Sequence, residues 1–209
     1  YEYATYYDLM FQNNNSIDNI LMIGGGGYSY PKYYINKFSN KTIDVIEIDK
    51  EVTNLAKKYF NLQENDRLNL INDDGRTYLN NNTKKYDAIL NDAFLGITPA
   101  KSLTTVEAVI KIKESLTENG LYLTNIIGVL NTENNNSKFL KSEVKTIKSV
   151  FKNVYIIPCK NKYYIDLIQN FIVIASDKDL NFANEYKLQI SKDDLVLTDD
   201  NNPIELFQI

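Results

Sequence analysis

The sequence predicts an α/β fold in which a seven-stranded, mostly parallel sheet carries helices on both faces. Three observations predict it. Apolar periodicity switches repeatedly between the period of a strand and that of a helix, as successive βαβ units require. Four glycines, Gly24, Gly25, Gly26 and Gly27, follow directly on an apolar stretch, where a strand would turn into a helix. Acidic residues recur where successive apolar strands end, at Glu47, Asp74 and Asp92, the edge on which open parallel sheets hold ligands.

The elements follow in order. Asn19 to Ile23 reads as the first strand and Gly24 to Gly27 as its turn, with Pro31 near the start of a short helix, where its missing N–H is harmless. A second strand is expected over Ile43 to Ile48. The helix after it, Glu51 to Phe60, places Val52, Leu55, Ala56 and Tyr59 on one face. Leu68 to Ile71 is a third strand, Arg76 to Asn80 a short helix and Tyr86 to Leu90 a fourth strand. Thr105 to Leu116 reads as a helix ended by Asn119-Gly120, and Leu121 to Ile127 as the fifth strand. A helix near Lys138 to Val150 and two strands, Val154 to Ile157 and Phe171 to Ala175, the last two as a hairpin pair, complete the pattern.

With 209 residues the chain suffices for one domain, expected over 1–209. No apolar run approaches the ~20 residues that span a bilayer, and nothing signal-like opens the chain, so no membrane contact and a cytoplasmic location are expected. The chain opens at Tyr1 and not at methionine, which leaves room for an upstream piece. A net charge of −4 lacks the basic footprint of a nucleic-acid binder and suits a cationic small molecule better. One cysteine, Cys159, excludes an internal disulfide framework and reads as a small buried hydrophobe. The absence of histidine removes the usual general base, zinc ligand and serine-triad partner; no metal is expected. The asparagine runs Asn13 to Asn15 and Asn134 to Asn136 read as loop filler.

The chemistry concentrates on the glycine run and the acid 20 residues after Gly27, Glu47. Glycines let the backbone approach a ligand, and a carboxylate ending the second strand can accept hydrogen bonds from both ribose hydroxyls. A nicotinamide dinucleotide site shares these elements, but Gly24-x-Gly26-x-x-Ser29 lacks its third glycine. Asn72-Asp73-Asp74-Gly75 places a carboxylate where an adenine amino group could donate, and Asn91-Asp92 ends the fourth strand. Each acid alone also fits a helix cap or a solvated turn.

Taken together, Ile23-Gly24-Gly25-Gly26, Val45 to Asp49, Asp74-Gly75-Arg76, Tyr86 to Phe94, Pro99, Leu103-Thr104-Thr105 and Leu197 to Asp200 with Pro203 resemble the spermidine synthase family of polyamine aminopropyltransferases. The resemblance implies a Rossmann-like fold of the class I methyltransferase type. It implies a donor, S-adenosylmethionine or its decarboxylated form, held by the four glycines, with Glu47 on the ribose, Ile48 against the adenine, and Asp73, Asp74 and Gly75 by its amino group. Asp92 would lie by the sulfonium chain and the acceptor as the catalytic acid group, the acceptor being a small cationic amine; methylthioadenosine leaves and no metal takes part. The opening Tyr1 to Tyr7 resembles a segment with a substrate-facing tyrosine, making Tyr6 and Tyr7 candidates.

Two departures stand out. The family places aspartates where this chain has Gly27 and Leu95, and these ordinarily hold and deprotonate the amine. Its amino-terminal β-domain has no counterpart in these residues. Asp199 and Asp200 are expected either to cap the pocket and replace the lost carboxylates or to form an Asx-rich turn, and Leu95 to Ser102 to form a lid or a passive connection. Three functional readings stay open: aminopropyl transfer, methyl transfer from intact S-adenosylmethionine, and a catalytically silent nucleoside-binding module. Any self-association is expected to be a homodimer.

Overall fold

A computed structural model describes residues 2–13, 16–96, 98–131 and 137–207. Asn14, Asn15 and Asn134 to Asn136 of the asparagine runs, and Ile97 of the expected lid, lie outside the described residues. Strands β1 (Asn19–Ile23), β2 (Thr42–Glu47), β3 (Leu68–Asn72), β4 (Tyr86–Asn91), β7 (Leu116–Gly128), β8 (Asn153–Pro158) and β9 (Gln169–Ser176) form one seven-stranded sheet. Its order is β3-β2-β1-β4-β7-β9-β8. The first five strands pair in parallel; β9 runs antiparallel to both β7 and β8. The remaining two strands, β5 (Phe94–Leu95) and β6 (Thr98–Pro99), make a small hairpin of their own.

Alternation along the strands sorts side chains to two buried faces. On one face Leu21, Ile23, Ile46, Ile89 and Val173 meet helices α4 (Gly75–Asn81), α5 (Val106–Glu114) and α6 (Lys138–Lys148), which contribute Leu79, Val109, Ile112, Leu140 and Val144. On the other, Met22, Val45, Leu90, Leu123 and Ile174 meet α1 (Met10–Asn13), α2 (Ser29–Lys37) and α3 (Lys50–Tyr59) through Met10, Tyr30, Tyr34 and Ala56. The expected arrangement of a mostly parallel sheet with helices on both faces is therefore the observed one.

Helix starts are capped as the sequence suggests. Asp49, Asp74 and Thr105 each accept a backbone N–H of the helix that follows, from Glu51, Thr77 and Ala108. One boundary differs from expectation. The helix expected over Thr105 to Leu116 ends at Glu114, where the Ser115 N–H bonds Lys111. Asn119-Gly120 does not end that helix. It falls inside β7, where three more residues separate Leu116 from Leu121 than the opposing Tyr86 and Ala88 require, so Thr117 to Gly120 bulge from the ladder. A Cβ on Gly120 would lie 2.9 Å from the Leu116 Cβ, so the bulge closes only around a glycine. Among the described residues, no helix is long and apolar enough to cross a membrane.

Candidate functional site

The carboxyl ends of β1, β2, β3, β4 and β7 open onto one cleft of about 1320 Å³. At the head of this cleft, Gly24 (φ +100°) follows β1 and sits against the end of β4: a Cβ there would lie 2.4 Å from the Asp92 carbonyl oxygen. The backbone locks this contact on both sides, with Gly24 N–H donating to Ile46 O and Asp92 N–H to Ile23 O. Gly75 plays a packing role at the start of α4, where a Cβ would meet Ile23 Cγ2 at 2.5 Å. Gly27 is different, since a Cβ on it would make only ordinary contacts, 3.8 Å to Ser29 and 3.9 Å to Phe60.

Glu47, the last residue of β2, turns its carboxylate onto the glycine turn. Oε2 accepts the N–H groups of Gly25 at 2.9 Å and Gly26 at 3.0 Å, and Oε1 accepts that of Asp49 at 3.1 Å. A carboxylate offers about four acceptor sites, so one on Oε1 is left for a ligand hydroxyl. The next residue, Ile48, is 62% exposed and offers the cleft an apolar surface. From the end of β3, Asn72 ties itself to the Glu47 and Ile48 carbonyls, while Asp73 and Asp74 line the wall. The Asp74 Oδ1 caps α4 through the Thr77 N–H, and the Asp73 Oδ1 accepts the Asp74 N–H.

Asp92 emerges from β4 on the far side of the glycine turn. Tyr3 Oη–H donates to its Oδ2 at 3.0 Å and Asn125 Nδ2 to its Oδ1 at 2.8 Å. Burial pushes the Asp92 carboxyl above the usual carboxylate range, and the Asn125 and Tyr3 donors, with the nearby Tyr7 hydroxyl, pull it back by stabilising the anion. Behind it Tyr7 is fully buried, with its hydroxyl unpartnered among the described residues. Burial, reinforced by the nearby Asp92 charge, keeps that phenol neutral by raising its pKa well above the ordinary value.

The structure thus gathers Gly24, Gly25, Gly26, Gly27, Glu47, Ile48, Asp73, Asp74, Gly75 and Asp92 around one cleft. Neither Tyr6 nor Tyr7 lines it; from the amino-terminal segment the tyrosine that does is Tyr3, and Tyr30 of α2 lines it as well. Asp199 lines it too, its carboxylate held by Arg76 at 2.6 and 3.0 Å and by Thr105 at 2.7 Å. Asp200 is exposed and away from the wall. The segment expected as a lid includes the β5–β6 hairpin, with Gly96 at φ +69° and Leu95 75% exposed on the cleft. Asn125, Asn170, Arg76 and Tyr3 were not singled out as site residues from sequence. Asn125 carries a signal, an asparagine among the apolar residues Leu121 to Ile127 of an inner strand; Tyr3 and Asn170 carry none.

Comparison with known proteins agrees with this geometry. The model of the spermine/spermidine synthase domain matches residues 7–187. A polyamine aminopropyltransferase of Vibrio vulnificus is 31% identical over 145 residues, 68% of this chain and 46% of the relative. The chain therefore spans about half the length of that curated relative. Among solved structures, a probable spermidine synthase from Corynebacterium glutamicum superposes with a TM-score of 0.75 at 24% identity, over 88% of this chain and 67% of that one. A spermidine synthase in complex with the transition-state analogue AdoDATO superposes with a TM-score of 0.68 at 18% identity, over 90% of this chain and 69% of that one. At these identities the superpositions speak for the fold alone, a Rossmann-like sheet. The domain match takes in most of the chain, and the chain belongs to the spermine/spermidine synthase family.

Proposed function

We propose that the cleft binds decarboxylated S-adenosylmethionine and that the chain transfers its aminopropyl group to a small amine. The observation that carries this is a half-buried acid held by two donors, Asp92, in one cleft with Glu47 on the glycine turn. Glu47 Oε1 and the wall formed by Ile48, Asp73 and Asp74 would take the ribose and adenine, leaving the sulfonium chain to run toward Asp92. An acceptor nitrogen would then attack the carbon next to sulfur, a C–N bond forming as the C–S bond breaks, and methylthioadenosine would depart. The attacking nitrogen must be neutral, and its extra proton goes to a base. Asp92, raised by burial, takes a proton more readily than an exposed carboxylate does. The chain's main contribution is orientation, since holding two reactants in line supplies much of the rate.

A second reading, methyl transfer from intact S-adenosylmethionine, is favoured by one observation: Gly27 leaves uncharged room beside the turn, with nothing closer than 3.8 Å to an added Cβ. Thermal denaturation with methylthioadenosine, both forms of S-adenosylmethionine and NAD, followed by turnover with an amine panel, tests both. A ligand at 100 times its Kd stabilises by ~2.7 kcal/mol, so the expected result is a shift of several degrees with adenosyl thioethers and none with NAD. Aminopropyl products identify the first reaction and methylated products the second. No shift with any adenosyl thioether would overturn both readings.

A further inference from the structure

The antiparallel ladder between β7 and β9 sets Ile127 opposite Asn170. Asn125 lies two residues before Ile127, on the same side of the sheet, so Asn170 is its diagonal neighbour across the strands. All three line the cleft. Asn170 Nδ2 donates to Asn125 Oδ1 at 2.9 Å, and Asn125 Nδ2 donates to Asp92 Oδ1 at 2.8 Å. The two ends of the Asn125 amide are chemically opposite. With its oxygen engaged by Asn170, its NH₂ is the end left for Asp92. Remove the Asn170 donor and the amide is free to turn, presenting a carbonyl that an ionised carboxylate repels and to which a protonated one donates.

We propose that Asn170 is a positioning residue which, through Asn125, holds Asp92 as an anion and so sets the protonation state in which the protein meets its amine. The consequence for the amine rests on the function proposed above; the effect on Asp92 does not. Burial favours the neutral carboxyl and the donors favour the charged one, so Asp92 is balanced between forces that a single lost donor can tip. The groups around it do not fix its charge by themselves. From the amino-terminal turn come Tyr3, which donates, and Tyr7, which is neutral. From beyond β8 come Cys159, whose thiol burial raises to about 12, and the exposed Lys160; Glu2 lines the same cleft, and Glu47 is held by the glycine turn.

The test needs no substrate. Carboxyl carbon-13 NMR titration, with Asp92→Asn to assign the resonance, reads the Asp92 midpoint in the wild type, in Asn170→Val and in the isosteric Asn170→Asp. Valine suits a strand and removes the donor, and the midpoint should rise by about one pH unit. Asn170→Asp turns the Asn125 amide toward itself and adds a charge, so its midpoint should rise further. An unmoved midpoint in Asn170→Val overturns the proposal, even if Asn170→Asp shifts, because that shift would be through-space charge alone. Methylthioadenosine affinity, measured by calorimetry on the same proteins, should be unchanged. A wild type that binds no methylthioadenosine would overturn the functional reading while leaving the Asp92 result standing.

Discussion

On the β1–β2–β3 side of the cleft the decisive contacts are local, with Glu47 holding Gly25 and Gly26 from 22 and 21 residues away. On the β4–β7–β9 side they are distant, with Asp92 held by Tyr3 and Asn125 from 89 and 33 residues away and Asn125 in turn by Asn170 from 45. The first side is one strand–turn–helix–strand unit whose geometry any such sequence would adopt. The second exists only once the whole sheet has closed. The difference separates a local, preformed surface from a composite one that positions a single charged group.

Breaking the composite side should cost most. Asp92→Asn keeps the shape and removes the base, so kcat for amine transfer should fall by ~10²–10⁴-fold, with methylthioadenosine affinity nearly unchanged. Equal losses in both would mean that the two sides are not separable. Breaking the local side should do the reverse. Glu47→Ala strips three backbone N–H groups of their acceptor and removes the expected ribose contact, weakening methylthioadenosine binding by ~2 kcal/mol or more, about 30-fold, by calorimetry. An unchanged Kd would refute the ribose assignment.

The smallest effect sharpens the comparison at its border, where the carboxyl-terminal strap meets α4. Asp199→Asn removes a two-toothed ion pair with Arg76 that is partly open to water, and should lower stability by about 1 kcal/mol in chemical denaturation near neutral pH. Arg76 hydrogen bonding holds the Asp199 carboxyl below its ordinary value. The unfolded chain therefore binds the proton first as pH falls, and this contribution, present above the unfolded pKa, is lost as pH drops toward the folded one. The wild-type and variant stability curves should converge in acid. Curves that stay parallel would show that the pair carries no linked charge.

How much was legible in the sequence follows the same division. Gly24 to Gly27, Glu47 and Asp74 announce themselves because each follows an apolar strand at a spacing that a βαβ unit dictates. Asp92 was readable for the same reason, but not its partners. Tyr3 is one of four tyrosines in the first seven residues, and only the closed fold decides which one reaches the carboxylate. Asn170 looks like one more asparagine in a chain rich in them, and its meaning depends on the β7–β9 register. Asp199 was open between a cap on the pocket and an Asx-rich turn, and what cannot be seen in sequence is that Arg76, 123 residues earlier, pairs with its carboxylate. The end of α5 was misplaced because Asn119-Gly120 is as natural in a strand bulge as after a helix.

The reversal of β9 has a consequence of its own. Because that strand runs against its neighbours, the connection from Pro158 to Gln169 emerges on the side where the cleft opens, and Cys159 and Lys160 at its base already form part of the wall. Tyr163 and Tyr164, 81% and 68% exposed, stand farther along it. Lengthening, shortening or recolouring this connection would reshape that rim of the cleft without disturbing the glycine turn some 130 residues upstream. The glycine turn and this rim of the cleft are thereby placed on separately editable stretches of chain, so one can diverge while the other is kept.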